Sequence, residues 1–113
     1  MSSELNIRED YSDNEVMVYL SGEVDIYNSQ ELKEKLYKII DDNRKDLKID
    51  CTELNYIDST GLGIFVGALK KVKQYDKKIY ICRLKENIKK LFVITGLDKL
   101  FIIEEWNNVY WSW

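Results

Sequence analysis

The run Asp58-Ser59-Thr60-Gly61 sets a carboxylate and two hydroxyls side by side, just where strand-like spacing ending at Ile57 gives way to helical spacing from Leu62. Three hydrogen-bonding side chains in a row suit a helix start, whose first N–H groups have no acceptor within the helix. They suit a second chemistry too. The macrodipole adds about half a positive charge at that end, so a phosphoryl group carried on Ser59 would meet a site that favours anions. Gly61 and Gly63 leave the backbone bare for the close approach of a partner or a kinase active site. Taken alone, the run reads first as ordinary capping by Asp58, Ser59 and Thr60, with glycines that permit tight packing.

Other chemistries are narrowed by composition. The 113 residues include no histidine, so neither a Ser-His-Asp nor a Cys-His nucleophile can be assembled, nor a His-ligated metal site. The context of Ser59 is not the G-x-S-x-G elbow, and no phosphate-cradling glycine loop occurs. Cys51 and Cys82 stand apart and read as buried, reduced thiols. Asp50 ends a strand as a receiver-domain phosphoacceptor would. The acidic pair and the lysine which that chemistry also needs are not in place. The expectation is a protein that is not an enzyme and needs no cofactor or metal.

Charge points the same way. Twenty acidic residues against 17 basic ones give a net charge of −3, a poor field for gathering nucleic acid. Lys70, Lys71, Lys73, Lys77 and Lys78 read as a solvated helix face rather than a nucleic-acid patch. Met1-Ser2-Ser3-Glu4 leads into a strand-like stretch without a basic segment or apolar run, and no stretch approaches the ~20 apolar residues of a membrane span. A cytoplasmic, membrane-free protein is expected.

The elements that must position Ser59 follow from periodicity. Leu5 to Tyr11 reads as an edge strand, Ser12-Asp13-Asn14 as a turn, and Val16 to Leu20 as a strand apolar on both faces, ended by Gly22-Glu23-Val24-Asp25. Asn28 with Glu31 three residues on signals a helix start, the Asn side chain accepting an orphan N–H. Leu32, Leu36, Ile39 and Ile40 form its stripe, which stops at Asp41-Asp42-Asn43. Leu47 to Cys51 is a short strand. Leu62, Phe65, Val66, Leu69 and Val72 stripe a second helix, Ile79 to Cys82 is a buried strand, and Ile88, Leu91, Phe92 and Thr95 stripe a short third helix stopped at Gly96. Phe101-Ile102-Ile103 is the last strand. The order predicts an α/β domain over residues 1–113, with a mixed sheet of about five strands and three to four helices. The N-terminal hairpin is antiparallel and the rest parallel.

With those elements set out, three blocks carry a resemblance. Tyr56 to Lys71 (YIDSTGLGIFVGALKK) resembles the central block of the bacterial anti-sigma factor antagonists, members of the STAS family shared with cytoplasmic domains of sulphate transporters. Ser21-Gly22-Glu23-Val24-Asp25-Ile26-Tyr27 and Leu91-Phe92-Val93-Ile94-Thr95-Gly96-Leu97 resemble two further blocks, in the family's order. The likeness runs from about Leu5 to Phe101. It implies partner switching: the unmodified antagonist binds an anti-sigma factor and frees a sigma factor, and the anti-sigma factor, itself an ATP-dependent serine kinase, phosphorylates the antagonist and expels it. A PP2C-type phosphatase resets the cycle, and a monomer is the family's expectation.

The resemblance puts the phosphoacceptor on Ser59 and a partner-contacting aspartate on Asp25. Asp58, Thr60, Gly61 and Leu62 join them as expected partner contacts. A STAS scaffold module in a stress-signalling complex is the alternative. The family usually closes with a further helix, whereas residues 104–113 here are short, aromatic and without a clear helical stripe.

Overall fold

Ser12 makes the first turn. Its hydroxyl donates to the Glu15 carbonyl at 3.0 Å and accepts the Glu15 amide at 3.2 Å, folding β1 (Leu5–Tyr11) back along β2 (Glu15–Val24) as an antiparallel pair. The computed structural model, which describes residues 4–104, continues through α1 (Ser29–Asn43), β3 (Asp46–Ile57), α2 (Ser59–Gln74), β4 (Ile79–Cys82), α3 (Glu86–Ile94) and β5 (Ile102–Glu104). A single turn of 3-10 helix at Leu97–Lys99 precedes β5. The aromatic run from Trp106 lies outside the described residues.

The sheet order is β1-β2-β3-β4-β5, and every pair after the first is parallel. This is the mixed sheet that the element order predicts. Because β2 to β5 advance in one direction, crossovers of one hand lay all three helices on the same face. Val16, Val18 and Leu20 of β2, Leu47 and Ile49 of β3, and Ile79 and Ile81 of β4 are accordingly buried on that face. The helices answer with Leu32, Leu36, Ile39 and Ile40, with Leu62, Phe65, Leu69 and Val72, and with Ile88 and Phe92. Phe101 meets Phe65 and Phe92 edge to face, and Phe65 and Phe92 are tilted on each other, with centroids 5.9–6.4 Å apart.

Several boundaries differ from the sequence reading. β3 runs through Ile57 rather than stopping at Cys51, while β2 ends at Val24, within the expected Gly22–Asp25 stop. Beyond Asp50 and Cys82, β3 has lost β4 as a neighbour and pairs with β2 alone, so Thr52, Glu53 and Asn55 are exposed and the alternation fades. The extension is irregular, with register shifts on either side of Gly22, which takes a φ of 103°. A β-carbon there would collide with the Glu4 carbonyl, which accepts the Glu23 amide at 2.9 Å. Only glycine meets both demands. Val66 is half-buried, with Ile64 and Ala68 inward instead, and Leu91 and Thr95 face solvent. Phe101 packs in the core just before β5 rather than lying in it.

A polar seam joins α1 to α2. Lys71 Nζ lies 2.9 Å from Asp41, the Tyr75 hydroxyl donates to Asp41 at 2.8 Å, and the Tyr37 hydroxyl donates to the Ile64 carbonyl beside Gly67. The Lys71 hydrogen bond first, then that of Tyr75, holds the Asp41 carboxyl below its ordinary pKa. A lowered folded pKa stabilises fully above the unfolded aspartate range near pH 4, and the contribution disappears as pH falls through the folded value. In urea unfolding Asp41→Asn should therefore be less stable than wild type at pH 7 and close to it at about pH 2.5. A gap that stays constant with pH would contradict this account of the seam.

Candidate functional site

The site is built at the carboxyl ends of β2 and β3, where parallel strands of an α/β sheet deliver their loops to one edge. Val24 and Ile57 are the last paired residues of the two strands. One further rung follows, as the Asp58 amide donates to the Val24 carbonyl at 3.2 Å. The loops that begin at Asp25 and Asp58 therefore start side by side.

Asp58 is the N-cap of α2. It is extended (φ −102°, ψ −176°), and its Oδ1 accepts the Gly61 amide at 3.1 Å, while its carbonyl accepts the Leu62 amide. Ser59 and Thr60 come first in the helix and are exposed. Their amides precede the first intrahelical bond and add partial positive charge at the helix start. The Ser59 hydroxyl makes no hydrogen bond among the described residues, and its residue is exposed.

Gly61 and Leu62 sit beneath this surface. A β-carbon on Gly61 would come within 2.6 Å of Ile57 Cγ1 and 2.7 Å of Val24 Cγ1, so glycine lets the first turn of α2 settle onto both strand ends. Leu62 is 7% exposed and belongs to the core. Of the two glycines expected to bare the backbone, Gly63 does so, with nothing within 4 Å of its would-be β-carbon.

Asp25 and Asn28 form a reciprocal tie. The Asp25 carboxylate accepts the Tyr27 amide at 2.9 Å and the Asn28 amide at 3.2 Å. In return Asn28 Oδ1 accepts the Asp25 amide at 2.9 Å, and Asn28 Nδ2 donates to the Glu23 carbonyl at 2.8 Å. Asn28 does occupy the N-cap position of α1, but its side chain makes no capping bond. The expected cap is thus replaced by a loop clamp, with Asn28 Oδ1 accepting the Asp25 amide in place of a helix donor. A D-x-x-N spacing at a strand end is the local signal that reveals it. Asp25 is half-buried, and Ile26 and Tyr27 between the clamped residues are exposed.

The two cysteines and Asp50 are held within the fold. Burial raises the Cys51 thiol far above its ordinary pKa, and burial with a hydrogen bond to Glu104 pushes Cys82 up to about 12. The Asp50 carboxylate accepts the Thr52 amide at 2.9 Å and lies 3.5 Å from Arg83. Among the described residues no cluster of three metal-ligating side chains occurs, and no helix is long and apolar enough to cross a membrane.

A one-sided mixed sheet with an exposed serine opening the helix after β3 defines a recognisable class. The STAS domain family model matches residues 5–110, and the chain belongs to that family. It is 40% identical over 105 residues, 93% of this chain and 97% of the relative, to the anti-sigma-B factor antagonist of Staphylococcus aureus strain NCTC 8325 / PS 47. Among solved structures, an anti-sigma factor antagonist from Mycobacterium paratuberculosis is similar with a TM-score of 0.80 at 22% identity, covering 89% of this chain and 86% of that one. The Bacillus cell fate determinant SpoIIAA in its phosphorylated form is similar at 0.70 and 16%, covering 93% and 96%. These last two likenesses show the shared fold.

The clamp makes a prediction. Asn28→Ala removes the acceptor of the half-buried Asp25 amide and should destabilise the protein by about 1–3 kcal/mol in urea unfolding. Hydrogen exchange at the Asp25 and Tyr27 amides should rise more than at the core of β3. Unchanged stability together with unchanged exchange would mean that Asn28 does not hold the loop.

Proposed function

We propose that this protein is an anti-sigma factor antagonist working by partner switching. The unmodified chain binds an anti-sigma factor that is also a serine kinase, which frees a sigma factor. Phosphorylation of Ser59 ends the binding, and a PP2C-type phosphatase restores it. The observation that carries the reading is the open Ser59 hydroxyl on the first turn of α2, in a loop bonded to the Asp25 loop. The S. aureus relative, similar over nearly its whole length, supports the same role.

The chemistry asked of this chain is acceptance and release, not turnover. To receive a phosphoryl group the Ser59 oxygen must lie against the terminal phosphate of a nucleotide bound by the kinase, with the base supplied by that kinase. After transfer, about two negative charges sit on Ser59, facing the remaining diphosphate and flanked by Asp58 and Asp25. A charge left desolvated and unpaired in an interface costs several kcal/mol. A loss of ~4 kcal/mol weakens binding about a thousandfold. In the free protein the same phosphate is solvated and sits at the positive end of α2. Each term favours dissociation. Asp25, on this reading, acts by holding its loop in shape as well as by its charge.

Incubation with a purified anti-sigma factor kinase and ATP, followed by tandem mass spectrometry, tests the assignment. One phosphate should appear, on Ser59, and Ser59→Ala should take up none while still binding the kinase. Phosphate on Thr60, or incorporation into Ser59→Ala, would overturn it.

A further inference from the structure

Ile26 and Tyr27 are among the most exposed large apolar residues described, at 67% and 71%. Single exposed apolar residues are ordinary on a protein surface. These two are adjacent, and their backbone is not free to fold them away. The Tyr27 amide is held by the Asp25 carboxylate, Asp25 is held by Asn28, and the Ser29 amide closes the turn on the Asp25 carbonyl at 2.8 Å. The loop is tied in turn to the phosphoacceptor loop through Val24 and Asp58. Two apolar side chains are thus held out from a clamped turn, on the surface that carries Ser59.

We propose that Ile26 and Tyr27 are the apolar anchor of the antagonist, seated in an apolar pocket beside the nucleotide site of the anti-sigma kinase. The proposal rests on the partner-switching reading and adds to it a division of labour. Because the turn is already ordered, little conformational freedom is lost when it docks. An aromatic ring with its neighbour, fully desolvated near the centre of an interface, is the kind of group that dominates affinity. The turn is joined to the Ser59 loop by the Asp58–Val24 rung, so docking that buries the anchor would bring the hydroxyl towards the nucleotide. The anchor supplies affinity, and Ser59 decides whether that affinity is sufficient. The Asp25 carboxylate, engaged with amides of its own loop, then acts as a positioning group for Tyr27.

The test is calorimetric binding of wild type, Tyr27→Ser, Ile26→Ser and Tyr27→Phe to the anti-sigma kinase with nucleotide, beside a melting curve of each. Both serine variants should bind at least tenfold more weakly with melting temperatures near that of wild type, and Tyr27→Phe should stay within about threefold of wild type. Phosphorylation of the serine variants should show a raised KM with kcat at saturation little changed, since neither side chain touches the reacting atoms. Serine variants that bind as tightly as wild type would overturn the anchor and leave the functional reading standing. Wild type that fails to bind the kinase at all would overturn the functional reading, and the anchor with it.

Discussion

The hydrogen bond from the Asp58 amide to the Val24 carbonyl is the last rung of the β2–β3 ladder, and both loops of the site hang from it. The rung exists because β2 and β3 outrun β4 and continue as a two-stranded parallel ribbon, made possible by Gly22 at positive φ and by Gly61 beneath the first turn of α2. A larger residue at Gly22 would push against the Glu4 carbonyl, and one at Gly61 would lift α2 from Val24 and Ile57. Two small residues therefore set the distance between an acidic turn and an exposed serine. The proposed phosphoswitch depends on how closely the two loops lie.

The one-sided layout has consequences elsewhere. With all helices on one face, the other side of the sheet must be made tolerable to water by mixed side chains. Met17, Tyr19, Lys48 and Tyr80 are half-buried there, apolar bodies for the most part with polar tips. The Arg8 guanidinium lies 4.0 Å from the Tyr19 ring centroid and Lys48 Nζ 5.7 Å from that of Tyr80, while Arg83 faces Asp50. These contacts explain why β2 reads as apolar on both faces. Among the described residues the second face carries cations resting on aromatic rings and no second layer of helices.

How much of this is legible in the sequence depends on the range over which each signal acts. The helix start at Ser59 can be read because capping is chemistry between residues three apart, and three motif blocks in one order carry the family. The stripes of α1 and most of α2 follow from the 3.6-residue period. Leu91 fails that test for a tertiary reason: α3 touches the core only through Ile88 and Phe92, so a third apolar position on the helix does not imply burial. The length of β3 is hidden because, once it has a single neighbour and an open flank, its side chains no longer alternate. Asn28 is misread because one side chain suits both a cap and a clamp, and the choice between them depends on where the Asp25 amide lies. Ile26 and Tyr27 give no local signal of exposure at all, since apolar residues after a strand look like core until the turn is seen.

On the proposed role the protein should change its affinity without changing its shape, because a phosphate on Ser59 would sit on an exposed residue at a helix start, where negative charge is favoured. The most direct test is to phosphorylate the protein fully on Ser59, confirm by amide NMR that shifts are confined to the Asp25 and Asp58 loops, and titrate it into the anti-sigma kinase with nucleotide. The account predicts a dissociation constant at least a hundredfold higher than for the unmodified protein, with the fold preserved. Equal affinity of the two forms, or weakening that comes only with global unfolding, would contradict it.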